Sequence, residues 1–263
     1  MIDFHNHVLP KIDDGSKSMD MSLEMLREAH QQGIKEIVNT VHYQHPKVEG
    51  LEITYSIIKE KTSVLQDELD KNNIPIRIHI GSEVFFLPNL MKIKDDPLAT
   101  IGNGKYMLIE FQPHFIPDNY KQIFFELKMN GITPIIAHPE RYKPVQENIS
   151  LVHNWLNTGC LIQVDAGSIL GTFGELAYNT VHNIIKNNWC QILGSDAHNN
   201  GRRNFILKDA YLKVENWIGD DAAKLMVHDN PRSVIRGNEI TVEIEENQAV
   251  KKRSFWEKIK LIN

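Results

Sequence analysis

Apolar residues along this chain follow two alternating rhythms. Short runs at IDF (2–4), EIVNTV (36–41), IRIHI (76–80), YMLIEF (106–111), TPIIAH (133–138), LIQVD (161–165) and QILGS (191–195) have the length of buried strands. Between them apolar residues recur at spacings of three and four. Met21, Leu23, Met25, Leu26 and Ala29 mark a first helix, stopped at Gly33. Tyr55, Ile58, Val64, Leu65 and Leu69 mark a second. Ile123, Phe124, Leu127 and Met129 mark another, closed by Gly131, and further helical patterns cover 146–158, 173–187, 203–218 and 220–236. Strand and helix in this order predict an α/β fold, a parallel sheet with crossover helices. No Gly/Ser-rich or Pro-rich linker interrupts residues 1–237, which therefore read as one domain. Residues 238–263 differ. TVEIEE reads as a last strand or an extended edge, and KKRSFWEKIKLIN as a basic amphipathic tail that covers the body, a partner or a membrane surface.

The chain has 263 residues, 41% hydrophobic and 24% charged, which is ordinary globular usage and excludes a disordered, collagen-like or coiled-coil protein. With 34 acids against 29 bases the net charge is −5, which argues against a nucleic-acid partner. No apolar stretch reaches the roughly 18 residues of a membrane span, and MIDFHNHVLP is not a signal peptide. The expected location is the cytoplasm. Two cysteines make no disulfide framework; Cys160 and Cys190 open apolar runs and read as small packed hydrophobes. A cysteine-based phosphatase needs an arginine six positions beyond its thiolate, and those positions hold Ala166 and Asp196. The conspicuous number is 12 histidines, about twice ordinary usage.

Their placement carries the chemistry. Polar residues close successive apolar runs: His5 and His7, His42, Glu83, Glu110, His138, Asp165, then Asp196 and His198. From His7 onward the intervals are 35, 41, 27, 28, 27 and 31 residues, close to one βα unit each. Each residue thus falls at the carboxyl end of a strand, and in an α/β barrel those ends open on one face, where barrel active sites lie. Imidazoles and carboxylates together suit manganese, iron or zinc, and so many ligands imply two or three ions. His30, His153, His182 and His228 fall on helices and read as background. His79 shares the strand parity of Glu83 but sits deeper, a packing position. His45 and His114 follow strand ends, within reach of a substrate.

DFHNHVLPKIDDG, TVHY, GSEVFF, IEF, AHPER and GSDAHN resemble, in order and spacing, the polymerase and histidinol phosphatase (PHP) superfamily. Within it they are similar to the bacterial protein-tyrosine phosphatases associated with capsule and exopolysaccharide synthesis. The resemblance covers roughly residues 1–237 and implies a distorted seven-stranded TIM-like barrel holding a cluster of manganese-type ions. It assigns His5, His7, Glu83 and Asp196 to one ion, Glu83, Glu110 and His138 to a second, and Asp14, His42 and His198 to a third. Asp13 becomes a structural neighbour. Arg141 of HPER resembles the family's phosphate-binding arginine, with an ion pair to Glu140 or another acid as its structural alternative. Arg203 would be a second phosphate contact, with Arg202 beside it as the other candidate. The chain departs from the family at Val41, where proline is commoner, and at Asp165, where an uncharged residue is commoner; Asp165 is left outside the site.

The expected reaction is hydrolysis of a phosphomonoester by metal-activated water, with Arg141 offsetting charge on the phosphoryl oxygens and no covalent phosphoenzyme. His42 or His198 would serve as proton donor only if free of metal. The resemblance implies a phosphotyrosine protein as substrate, such as the tail of a bacterial tyrosine kinase, and a homo-oligomer is compatible with it. The rivals are a histidinol-phosphate type of small-molecule phosphatase, a nuclease-like module, and a non-catalytic metal-stabilised binding scaffold.

Overall fold

The seven apolar runs become seven parallel strands: β1 (Ile2–Asn6), β2 (Glu36–Tyr43), β3 (Arg77–Phe85), β4 (Tyr106–Glu110), β5 (Thr133–Ala137), β6 (Leu161–Asp165) and β7 (Ile192–Gly194). They pair strictly in chain order in the computed structural model, which describes residues 1–242. Each neighbour pair is parallel. The seam between β7 and β1 is drawn together past the strand ends. Asn6 bridges Ala197, Asp196 N–H donates to His5 O at 2.7 Å, and His7 N–H donates to Ala197 O at 2.8 Å. The sheet is therefore a nearly closed barrel, as the resemblance implies, built from the parallel strands that the alternating pattern predicts.

Helices α1 (Met19–Gln31), α2 (Tyr55–Lys71), α3 (Leu90–Ile93), α4 (Tyr120–Met129), α5 (Lys143–Glu147), α6 (Ser150–Asn157), α7 (Ala166–Ile169), α8 (Glu175–Lys186), α9 (Leu207–Ile218), α10 (Asp220–Lys224) and α11 (Asn230–Arg236) complete the described residues. The apolar stripe read from the first helical pattern is buried: Leu23, Met25, Leu26 and Ala29 face the sheet. Ser18 caps α1 by accepting from Met21 N–H, which satisfies one of the free donors of its first turn. The main core lies between strands and helices. In it Phe111 stacks on Trp155, their planes 9° apart, with Tyr120 edge-on to both and Phe124 edge-on to Tyr120. A smaller apolar cluster fills the barrel itself: Phe4, Val38, Leu108, Ile135, Leu161 and Ile192, floored by Val234, Ile240 and Val242. This plug excludes water from the lower barrel and leaves the polar side chains at the top.

Several boundaries differ from those the sequence predicts, each for a local reason. β3 runs on through Glu83 to Phe85, because Gly81 is a packing residue and not a turn. A Cβ there would meet Val38 Cγ1 at 2.9 Å. Ser82, on the opposite face of the strand, donates through Oγ to Leu98 O at 2.6 Å. The pattern over 146–158 breaks into α5 and α6 at Asn148, whose side chain accepts from Ser150 N–H. The pattern over 220–236 is interrupted by a π turn at Leu225–Asp229, ahead of Pro231, which has no N–H to donate. Thr241 and Val242 form no strand, and the rest of TVEIEE and the whole basic tail from 251 lie outside the described residues.

Candidate metal centre

Strand alternation brings His42, Glu83 and Glu110 onto the inner face. His42 lies opposite Glu83 across β2 and β3, and Glu110 lies opposite Phe85 across β3 and β4. The remaining members need departures from regular strand. The register shifts between Asp3 and Asn6 in β1, which re-aims His5. His138 and Asp196 adopt left-handed backbone (φ 31° and 49°) immediately after their strands. Non-glycine residues rarely hold that conformation, and such strain concentrates where side-chain direction matters.

The result is one buried cluster. Glu83 Oε2 lies 3.2 Å from His5 Nε2, 3.4 Å from His7 Nε2 and 3.2 Å from His42 Nδ1, while its Oε1 lies 2.8 Å from His138 Nε2. Asp196 Oδ1 lies 3.6 Å from His5 Nε2, 3.4 Å from His7 Nε2 and 3.3 Å from His198 Nδ1. Asp14 Oδ1 stands 3.2 Å from Nε2 of both His42 and His198. Glu110 lies 3.8 Å from His138 and 3.7 Å from His42. The structure thus gathers all nine residues nominated as ligands.

Their donor set fits divalent metal. His5 Nε2, His7 Nε2, Asp14 Oδ1, His42 Nδ1, Glu110 Oε2 and His198 Nε2 are buried and make no hydrogen bond. Leaving such atoms unsatisfied costs about 1–3 kcal/mol each, a penalty that coordination removes. Among the described residues the ligand atoms fall into groups that could each surround an ion: His7, Asp14, His42 and His198; His5, His7 and Asp196; His5, Glu83 and His138; and His42, His45 and Glu110. The first three overlap the sets implied by the resemblance. The fourth adds His45, which lies 3.4 Å from Glu110.

Electrostatics agree. Burial opposes charge on His5, yet Glu83 and Asp196 outweigh it and raise the imidazole to about 9. Burial, helped by Glu83, lifts Glu110 to about 7. Burial and Arg141 lower His138 to about 4, the neutral form a metal requires. So acid-rich a pocket is stable only with added positive charge, supplied by protons on imidazole or by a cation.

The supporting residues are equally specific. Asp13, read from the sequence as a structural neighbour, has Oδ2 2.8 Å from His7 Nδ1 and accepts from His42 N–H at 3.0 Å, contacts that orient both residues. Gln163 Oε1 lies 2.9 Å from His5 Nδ1, and Asp196 O lies 2.8 Å from His198 Nδ1. Each fixes a ring orientation, as outer partners of metal-bound histidines do. Two glycines in the motifs are there for close approach. A Cβ on Gly15 would meet His7 O at 2.2 Å, and one on Gly194 would meet His5 Cβ at 2.5 Å and Gln163 Nε2 at 2.9 Å. Gly194→Ala is accordingly expected to destabilise the protein by about 1–3 kcal/mol and to lower its metal content. Urea unfolding and metal analysis check this; an unchanged midpoint with a full metal complement would contradict it.

Both arginines stand at the rim. Arg141 Nη1 and Arg203 Nη2 each lie 2.6 Å from Asp196 Oδ2. Arg203 is half-buried and Arg202 exposed, so the geometry separates the two candidates. Asp165, set aside on sequence grounds, belongs to the site's support. Its Oδ2 lies 3.2 Å from Arg141, and its Oδ1 caps α7 by accepting from Gly167 N–H at 2.7 Å. Arg141 pairs with these acids, not with Glu140, whose carboxylate accepts from Asp165 N–H. Lys47, 2.8 Å from Asp14 and 3.2 Å from His42, had no periodic signal to reveal it. His114 is exposed. His79 pairs with Glu36 at the opposite, amino-terminal mouth of the barrel, half-buried and not dry.

The comparisons agree with this architecture. Residues 1–236 match the family described as capsular polysaccharide synthesis, CpsB/CapC. CapC of Staphylococcus aureus is 34% identical over 216 residues, 80% of this chain and 82% of CapC. The tyrosine-protein phosphatase YwqE of Bacillus subtilis (strain 168) is 31% identical over 257 residues, 97% of this chain and 99% of YwqE. A crystal structure from work on YwqE and on CpsB of Streptococcus pneumoniae, described as metal-dependent tyrosine phosphatases, superposes with a TM-score of 0.85 at 31% identity. That superposition covers 92% of this chain and 97% of the other. The match runs from the first strand through the last described helix, along the same residues that build the metal cluster: the chain belongs to the CpsB/CapC family of capsular polysaccharide synthesis.

Proposed function

We propose that the protein is a metal-dependent protein-tyrosine phosphatase whose site is built from His5, His7, Asp14, His42, Glu83, Glu110, His138, Asp196 and His198. The observation that carries this reading is the buried cluster of imidazole and carboxylate atoms without hydrogen bonds, flanked by two arginines at one carboxylate. Relatives named as tyrosine-protein phosphatases, and a solved structure described as metal-dependent, support it.

Two or three manganese-type ions would be held by three sets: His5, His7, Glu83 and Asp196; Glu83, Glu110 and His138; and Asp14, His42 and His198. Bound there, metal would lower the pKa of water toward neutrality and offset charge on the phosphoryl group. The chain does the rest. Arg141 and Arg203 converge on Asp196 from the rim, where their remaining N–H groups can hold phosphoryl oxygens and orient the ester. Asp165 and Asp196 keep Arg141 in place. Asp13 and Gln163 fix the rings of His7 and His5. The apolar plug beneath keeps bulk water to one side. A phenolate leaves readily, its conjugate acid having a pKa of about 10, so no side chain need be reserved as proton donor. His42 and His198 both stand 3.2 Å from Asp14 in the set that would hold an ion, so neither is free to donate a proton when that set is filled.

No thiol takes part. Cys160 and Cys190 are buried away from the site, and burial pushes the Cys160 thiol up to about 12. Purified, manganese-loaded protein is expected to release phosphate from phosphotyrosine peptides much faster than from histidinol phosphate. Cys160→Ala with Cys190→Ala should leave kcat within about twofold, because a residue outside the reaction contributes only through packing. Chelation should abolish turnover, and metal analysis gives the ion and its stoichiometry. Failure of the loaded protein to cleave phosphotyrosine would overturn the reading, and sensitivity to the cysteine pair would overturn the mechanism. The protein substrate we assign is a phosphorylated tyrosine-bearing tail, such as that of a bacterial tyrosine kinase acting in polysaccharide synthesis. The family description supports that setting.

A further inference from the structure

Beside the metal cluster a cavity of about 210 Å³ opens onto Glu110, His138 and Arg141 on one side and is walled by Pro113, Phe173 and Ala177 on the other. Phe173 is unusual. It is a large aromatic residue 36% exposed at the mouth of a polar site. Its loop is nonetheless built to hold it there. Gly171 and Gly174 flank it with φ of 84° and 88°, which side chains other than glycine rarely adopt. Thr172 N–H donates to Gly167 O at 2.8 Å, tying the loop to α7. Gly167 leaves room for the ring, since a Cβ there would meet Phe173 Cε2 at 2.6 Å. The guanidinium carbon of Arg141 lies over the ring, 4.5 Å from its centroid.

Arg141 therefore serves two neighbours. Its Nη1 faces Asp165 and Asp196, and its central carbon lies over the Phe173 ring. Arg141 lines the same cavity as Phe173 and Pro113, so the cavity offers room for the ester substituent of a phosphoryl group held at Arg141. We propose that this cavity is an aryl subsite, with Phe173 as the residue that favours phosphotyrosine over alkyl phosphate esters. An aromatic substituent would bury its ring against Phe173, Pro113 and the Ala177 methyl and gain aromatic contact beyond simple burial. A serine-derived ester is too short and lacks the ring. The subsite rests on the phosphatase reading of the metal centre.

The test uses non-hydrolysable ligands, so that binding is read without turnover. Calorimetry on the manganese-loaded protein compares phenylphosphonate with methylphosphonate. The unaltered protein is expected to prefer the phenyl compound by about tenfold. Phe173→Ala should bring that ratio to within about twofold, and Phe173→Tyr, which keeps the ring, should retain it. No preference in the unaltered protein, or a preference surviving Phe173→Ala, would overturn the subsite. An aryl preference that depends on Phe173 in a protein unable to cleave phosphotyrosine would support the subsite and overturn the phosphatase reading.

Discussion

Replacing Glu83 by glutamine is expected to lower kcat at least about a thousandfold and to remove metal from the protein. Among the described residues Glu83 is the carboxylate with the most imidazole neighbours, four. Glu83 is fully buried in β3 and lies within 3.4 Å of His5, His7, His42 and His138, so its loss reaches more than one of the proposed ion sites. Burial alone would favour its neutral form, but His5 and the other imidazoles hold it well below the usual carboxylate range. Glutamine keeps the shape and removes the charge. Its amide nitrogen would also point a donor at imidazole nitrogens that need an acceptor or a cation. Metal analysis should show a reduced stoichiometry, and the rise in Tm that manganese gives the unaltered protein should shrink. Ligand-induced stabilisation follows affinity for the folded state, whereas mere loss of packing would lower Tm in the absence of metal as well. A variant with full metal content and ordinary kcat would sink the assignment of Glu83.

That residue also shows how far the sequence could be read. The order of elements was legible, because a barrel built from βα units repeats one pattern of apolar residues and the repeat is close to 30 residues. Eight of the nine candidate ligands were legible for the same reason, since each interrupts or closes an apolar run; Asp14 was nominated by the resemblance alone. What could not be read was how the backbone delivers them. Glu83 sits inside a strand, past a glycine that looks like a turn and is in fact a gap for Val38 and Ile101. His138 and Asp196 leave their strands through left-handed conformations, which histidine and aspartate adopt more readily than most residues but which periodicity does not locate. Lys47 and Asp165 acquire meaning only through partners 33 and 24 residues distant, Asp14 and Arg141. Periodicity reports which face a residue takes along its own element. It is silent on pairings across the barrel mouth, and those decide which acid supports which base.

Arg141 is where such pairings matter most for substrate. Arg141→Lys is expected to lower kcat/KM for phosphotyrosine peptide about a hundredfold and to weaken inhibition by inorganic phosphate, with metal content unchanged. The guanidinium approaches Asp165 and Asp196 at one nitrogen, at 3.2 and 2.6 Å, and its central carbon lies 4.5 Å from the Phe173 ring centroid. It can do so while other N–H groups remain for a phosphoryl oxygen, because its donors spread in a plane. A lysine ammonium keeps the charge but is a single point. It would satisfy one carboxylate, lose the contact with the ring, and leave no fixed donor for the ester. Lysine is the informative replacement because alanine would strip the buried Asp165 and Asp196 of a neighbouring cation, a loss that confuses stability with binding. Arg203→Lys is the natural comparison. It shares Asp196 but has no contact with Asp165 or Phe173, so its loss should be smaller for aryl substrates. If Arg141→Lys bound phosphate as tightly as the unaltered protein, Arg141 would be a structural partner of Asp196 and not a phosphate ligand.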